Sequence, residues 1–215
     1  MATTEEMDRM YRWTRYIYDL TRKYYLLGRD RLLRDMELQP GDRVLEIGCG
    51  TARNLILLAK QRPDIHCYGL DVSTEMLDTA AAQVKRHGLE SRITLRHCFA
   101  EQLDHQKTFG LDAPFDAAFF SYSLSMIPTW PQAIDAALAN LKPRAAFYVV
   151  DFWDQADWPR WFRALLKGWL DLFHVHYRPE LLEHLRQLEV KGVGKLTLQS
   201  VARHYAYLAT FRKNS

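Results

Sequence analysis

Two hydrophobic rhythms run along this chain, and they assign its elements. Residues 7–35 carry Ile17, Leu20, Tyr24 and Leu27 at helical spacing with no proline between them, which predicts one long helix. Turn chemistry follows at Gln39–Asp42, and the run "RVLEIGCG" then reads as a strand entering a glycine-rich turn. "TARNLILLAKQR" returns to helical spacing and ends before Pro63. "HCYGLDVS" is a second strand. "STEMLDTAAAQVKRHG" is a helix with Ser73 or Thr74 as N-cap and Gly88 as its stop. "RITLRHCFA" and "FDAAFFSYS" are the third and fourth strands, "PQAIDAALANLKP" is a helix closed by Pro143, and "AAFYVVDFWD" is the fifth strand. "WPRWFRALLKGWLDLF" is amphipathic, "PELLEHLRQL" is a further helix, and "KLTLQSVARHYAYLATFRK" holds one or two closing strands. Strand and helix in alternation predict an α/β fold. The expected architecture is a doubly wound, Rossmann-like, mostly parallel seven-stranded sheet with an N-terminal helical cap.

Composition narrows the class. The 215 residues, 48% hydrophobic, suffice for one domain. The expected division is a cap over 1–36, a cofactor-binding core over 37–153, and substrate-side helices with closing strands over 154–215. No apolar run is long enough for a transmembrane helix, and "MATTEEMDRM" lacks the apolar core of a signal peptide. Cys49, Cys67 and Cys98 have no CxxC spacing, which points to a reduced, cytoplasmic protein without a metal framework. Lys and Arg outnumber Asp and Glu over 1–34 and 160–215, and the reverse holds over 35–159. Basic flanks of that kind suit an anionic surface or are simply solvated.

The chemistry concentrates at "VLEIGCGTARN". Gly48 and Gly50 permit a tight turn and close approach to a ligand. A dinucleotide fingerprint would place a third glycine at position 53, where this chain has Arg53. Glu46 would repel a pyrophosphate but suits an amine or a sulfonium. Asp71 ends the second strand, where an acidic side chain accepts ribose hydroxyls, and Met76 lies one helical turn beyond. Together with "FD" at Phe115–Asp116 and "LKP" at Leu141–Pro143, these residues resemble class I S-adenosylmethionine-dependent methyltransferases over roughly residues 38–153. The resemblance implies S-adenosylmethionine as cofactor. Gly48 and Gly50 would surround its methionine part, Asp71 would hold the ribose, and Glu46 would act through the amino group or water. The wider set it implies is Cys49, Thr51, Asn54, Val72, Met76, Phe99, Ala100, Glu101 and Ser121. Phe99 stands where many members carry an acid that holds the adenine amino group. Ala100 would offer its backbone amide there, Glu101 is a candidate replacement for the acid, and a core role is open for Phe99.

For the acceptor, "FFSYSLSMIP" lacks the Asn/Asp-Pro-Pro-aromatic motif of enzymes that methylate amino groups of DNA bases. Ser121 and Tyr122 are candidates to guide an amine, with satisfaction of strand-end groups as the competing role for Ser123 and Ser125. "FHVHYRPE" brings His174, His176, Tyr177 and Arg178 together, and Arg178 suits a carboxylate. No third ligand accompanies the His pair, so no metal is expected. Tyr11, Tyr18 and Tyr25 share one face of the N-terminal helix, either packing on the sheet or caging a cationic nitrogen. Interleaved arginines, together with Trp161, Trp169 and Phe173, suit a lipid interface.

"YIYDLTRKYYLLGRDRLL", "FFSYSLSMIP", "VVDFWD" and "FHVHYRPELL" resemble the bacterial diacylglyceryl-homoserine N-methyltransferases of betaine-lipid synthesis over about residues 11–185. That resemblance implies three successive methyl transfers to the homoserine amine of a lipid, at the cytoplasmic face of the membrane and without nucleic acid. Tyr18, Tyr25, Tyr122 and His176 are the candidate catalytic residues, and Tyr177 and Arg178 the candidate substrate contacts. Methylation of a soluble amine or amino acid is the alternative. An RNA-associated or non-catalytic cofactor-binding protein is the reading from a different class.

Overall fold

Val44, Leu45, Glu46 and Ile47 are all buried, as expected of a strand covered on both faces. This strand, β1 (Arg43–Ile47), is an interior strand of a seven-stranded sheet. The computed structural model describes residues 26–159, 161, 163, 165, 168 and 178–215. Its elements run α1 (Arg29–Asp35), β1, α2 (Arg53–Gln61), β2 (His66–Asp71), α3 (Thr74–Arg86), β3 (Ile93–His97), a 3-10 turn (Ala100–Gln102), α4 (His105–Phe109), β4 (Phe115–Ser121), α5 (Trp130–Ala139), β5 (Leu141–Phe152), α6 (Pro179–Val190), β6 (Gly194–Val201) and β7 (Ala206–Lys213). Residues 161, 163, 165 and 168 are helical. The strand order is β3-β2-β1-β4-β5-β7-β6. The first five strands are parallel, and β7 pairs antiparallel with both β5 and β6.

Alternation along β1 divides the core. Val44 joins α1, α2 and α3 in one apolar cluster, with Leu33, Leu55, Leu58 and Phe119. Leu45 and Ile47 join α5 and α6 in the other, with Phe120, Ile134, Leu181 and Leu185. Glu46, two residues from Val44, therefore faces the α1–α3 layer. The order reverses between β1 and β4, and open α/β sheets bind ligands beyond the strand ends at such a point.

Three elements depart from the expectation. The helix expected over 7–35 does not pass through Gly28, which has φ 86 and lies before an α1 that starts at Arg29. A left-handed residue ends helical continuity. The fifth strand starts at Leu141, before Pro143 rather than after it. Phe115 pairs with Leu141 but Ala117 with Ala146, so the strand bulges, and Arg144 at φ 64 is part of the bulge. Pro143, without an N–H to give the ladder, sits where the ladder is interrupted. The 3-10 turn and α4 are too short for periodicity to reveal. By contrast Ser73 is the N-cap of α3, its Oγ accepting from the Met76 N–H at 3.3 Å, and both closing strands are present.

Phe119 is fully buried on the α1–α3 side of the sheet. Phe119→Ala is expected to lower the unfolding free energy by about 3–5 kcal/mol, measured by urea denaturation.

Candidate functional site

The turn after β1 is shaped by what it cannot accommodate. Gly48 has φ 75, and a Cβ there would stand 2.6 Å from the Cβ of Ser123. The N–H groups of Gly48 and Cys49 both donate to the Leu70 carbonyl, at 2.9 and 3.0 Å. Ser123 Oγ donates to the Ile47 carbonyl at 2.8 Å, so the loop after β4 braces the turn from the other side. Gly50 at φ 51 and Ala52 at φ 59 continue the curl into α2. A left-handed alanine costs on the order of 1 kcal/mol.

Asp71 closes this arrangement from β2. Its Oδ2 accepts from the Gly50 N–H at 2.8 Å, and its Oδ1 from the Ser73 N–H at 2.9 Å. A carboxylate offers about four acceptor positions, and these bonds use two.

Beneath the turn lies a cavity of about 410 Å3. Glu46, Gly48, Cys49, Gly50, Thr51, Asn54 and Ser121 line it together, as the sequence places them. Glu46 is only 1% exposed, and its Oε1 accepts from Asn54 Nδ2 at 2.7 Å. Ser121 Oγ is buried and has no hydrogen-bond partner among the described residues. Burial, reinforced by the nearby Glu46 and Asp71 charges, pushes the Cys49 thiol well above its ordinary value. Leu26, Arg29 and Arg53 line the same cavity, and sequence reasoning did not assign them to it. The signal for Arg53 was its place where a dinucleotide fingerprint has its third glycine.

Asp71, Val72, Phe99, Ala100 and Glu101 lie at or just after the ends of β2 and β3, Met76 lies in the first turn of α3, and none of them lines that cavity. A core role for Phe99 is excluded, because the residue is 47% exposed. Val72 is exposed as well. Ala100 is buried at the start of the 3-10 turn.

On the acceptor side, Tyr18, Tyr25, His176 and Tyr177 fall outside the described residues. Tyr122 is buried and adopts φ 56, and its Oη donates to the Leu27 carbonyl at 2.6 Å. That bond spends its hydroxyl proton on the segment leading into α1 and not on an acceptor amine. Ser125 is gripped from two sides. Its N–H donates to Asp151 Oδ2 at 3.0 Å, and its carbonyl accepts from Arg178 Nε at 3.1 Å. Asp151 Oδ1 accepts from the Phe152 N–H at 2.8 Å. Burial pushes the Asp151 carboxyl up to about 6, against the opposing pull of these amides and of Arg178. A lone charge within "FYVVDF" was its only sequence signal.

Comparisons with known proteins follow this geometry. The model of a family described as a methyltransferase domain matches residues 38–193. A demethylmenaquinone methyltransferase from Listeria monocytogenes is 28% identical over 157 residues, covering 73% of this chain and 60% of the relative. One from Geobacillus kaustophilus is 32% identical over 120 residues, covering 55% and 49%. The chain thus spans about 60% of the length of the Listeria relatives it matches. Among solved structures, an O-methyltransferase family protein from Burkholderia thailandensis has a TM-score of 0.69 at 16% identity, covering 92% of this chain and 58% of that one. A SAM-dependent methyltransferase from Aquifex aeolicus gives 0.62 at 18%, covering 90% and 93%. The [4+2]-cyclase SpnF gives 0.67 at 21%, covering 86% and 79%. Such distant likenesses establish the fold alone.

Asp151 has its folded pKa above the ordinary 3.8, so its protonated form favours the fold. That contribution is complete below the ordinary value and is lost as pH rises through about 6. Relative to wild type, Asp151→Asn is therefore expected to gain stability as pH is raised across this window. The gain should reach on the order of 3 kcal/mol, read from urea denaturation at a series of pH values. Parallel curves would rule it out.

Proposed function

Because the chain belongs to the methyltransferase domain family, we propose that it is an S-adenosylmethionine-dependent methyltransferase acting on the amine of a lipid-borne acceptor. The donor assignment is carried by Asp71, anchored at the β2 tip with acceptor capacity left for ribose hydroxyls. The other residues present fit the donor. Gly48 packs against Ser123 where a Cβ would clash, and its backbone lines the cavity. Ser121 Oγ is buried at the cavity wall, without a partner among the described residues. Glu46 supplies a negative charge suited to an amine or sulfonium. Glu46 would hold the amino end, the backbone of Gly48 to Gly50 the methionine part, and Asp71 the ribose. When bound, the donor supplies an electrophilic methyl on its sulfonium. The chain's own residues bind, orient and exclude water.

The acceptor reading rests on the stretches that resemble diacylglyceryl-homoserine N-methyltransferases. Its chemical support lies on the acceptor side. Trp161 and Leu165, one helical turn apart, are 70% and 67% exposed, and the chain from 160 onward is basic. No helix among the described residues is long and apolar enough to cross a membrane, so access to a lipid would be from its surface. Arg178 uses Nε on Ser125, and its terminal nitrogens would take the homoserine carboxylate. Tyr18, Tyr25, His176 and Tyr177 keep their proposed acceptor-side roles, and Tyr122 is assigned to holding the N-terminal segment. A second reading, methylation of a quinone precursor, draws on the names of the curated relatives.

Asp71→Ala is expected to weaken S-adenosylmethionine binding at least about tenfold by calorimetry, in protein whose circular dichroism is unchanged. Wild-type affinity would remove Asp71 from the donor site. The acceptor is tested with labelled donor and anionic liposomes carrying either diacylglyceryl-homoserine or demethylmenaquinone. Mono-, di- and trimethylated homoserine lipid is the expected product set. Methylated quinone alone would replace this reading with the second.

A further inference from the structure

Three polar contacts join the surface of α1 to the floor of the donor cavity. Asp30 Oδ1, on α1, accepts from Arg53 Nη1 at 2.7 Å. The same nitrogen donates to Asn54 Oδ1 at 3.2 Å. Asn54 Nδ2 in turn donates to Glu46 Oε1 at 2.7 Å. Asn54 and Glu46 are buried, whereas the Arg53 side chain is 40% and the Asp30 side chain 66% exposed. Arg53, Asn54 and Glu46 line the cavity and Asp30 does not.

A carboxamide has a fixed polarity, with its oxygen accepting and its nitrogen donating. An Arg53 donor on one side of Asn54 obliges the oxygen to face Arg53 and the nitrogen to face Glu46. Turned over, the amide would set its oxygen lone pairs against a buried carboxylate, at the cost of the bond that now holds Glu46 in place. Arg53 thereby reinforces the direction of Asn54 that the Glu46 carboxylate also requires, and Asn54 links the two. Arg53 itself is a long, half-exposed side chain, and its hydrogen-bonded ion pair with Asp30 restrains it. The guanidinium in turn holds the Asp30 carboxyl below the usual range, chiefly through their hydrogen bond.

We propose that Arg53 is a positioning residue for the methyl donor: anchored by Asp30, it orients Asn54 and through it the Glu46 carboxylate, so that docking of α1 and binding of the donor strengthen each other. The inference rests on the donor assignment above. It explains why α1, through Arg29 and the adjoining Leu26, forms a wall of the same cavity. It also gives a reason for an arginine where the dinucleotide fingerprint has glycine. The coupling is reciprocal, so donor binding must tighten α1 as much as α1 tightens the donor.

The test is a double-mutant cycle on S-adenosylmethionine affinity, by calorimetry on the full chain, with Asp30→Asn, Arg53→Gln and the pair. Asp30 does not line the cavity, so Asp30→Asn acts through its neighbours, and the Arg53→Gln background separates the route through Arg53 from one through Arg29. Asp30→Asn is expected to weaken binding about two- to fivefold, and to add nothing further in the Arg53→Gln background. Hydrogen exchange of the α1 amides, such as the Leu32 N–H that donates to the Gly28 carbonyl, is expected to slow on donor binding in wild type and not in Arg53→Gln. Wild-type affinity in Asp30→Asn, or an equal loss in both backgrounds, would overturn the inference while leaving the donor assignment standing. Failure of the wild-type chain to bind the donor would overturn both.

Discussion

The site depends on one close approach, between the turn after β1 and the loop after β4. Ser123 reaches the Ile47 carbonyl only because position 48 carries no side chain. These two segments leave adjacent parallel strands at the point where the strand order reverses. Their contact fixes the mouth between the two halves of the sheet. Any Cβ at position 48 would push the loop away, and with it the residues on either side of Ser123.

That loop is also where the rest of the molecule is fastened. Within a few residues, Tyr122 holds the segment before α1, Ser123 holds the glycine turn, and Ser125 is held by Asp151 of β5 and by Arg178 at the start of α6. The glycine turn, β5, the start of α6 and the segment before α1 thus share one short stretch of backbone. The contacts of Asp30, Arg53, Asn54 and Glu46 approach the same cavity from the opposite side, through α2. The N-terminal segment is tied to both halves and belongs to the site as much as the glycine turn does.

Much of this was legible in the sequence, for physical reasons. Buried parallel strands need continuous apolar runs, so β1, β2 and β4 announced themselves, and Gly48, Gly50 and Asp71 sit at their ends where the expected turn required them. The cavity likewise gathers Glu46, Asn54 and Ser121. What stayed hidden depends on contacts between distant residues. Neither the grip of Asp151 on Ser125 nor the place of Arg29 in the cavity wall has a local spacing. The break at Gly28 was missed because apolar spacing continues across it on both sides. At Pro143 a bulge absorbed the proline that seemed to demand a boundary. Phe99 looked equally suited to a core, and only its exposure separates the two roles.

Cys49 sits inside the turn assigned to the donor, and its burial has a consequence for the protein's own integrity. A sulfonium methyl is an alkylating agent, and a thiolate is among the strongest nucleophiles a protein can offer it. Burial and two neighbouring carboxylates keep this sulfur in its protonated, sluggish form. If the proposed function holds, a donor bound at this turn would meet a cysteine that is poorly disposed to take its methyl group.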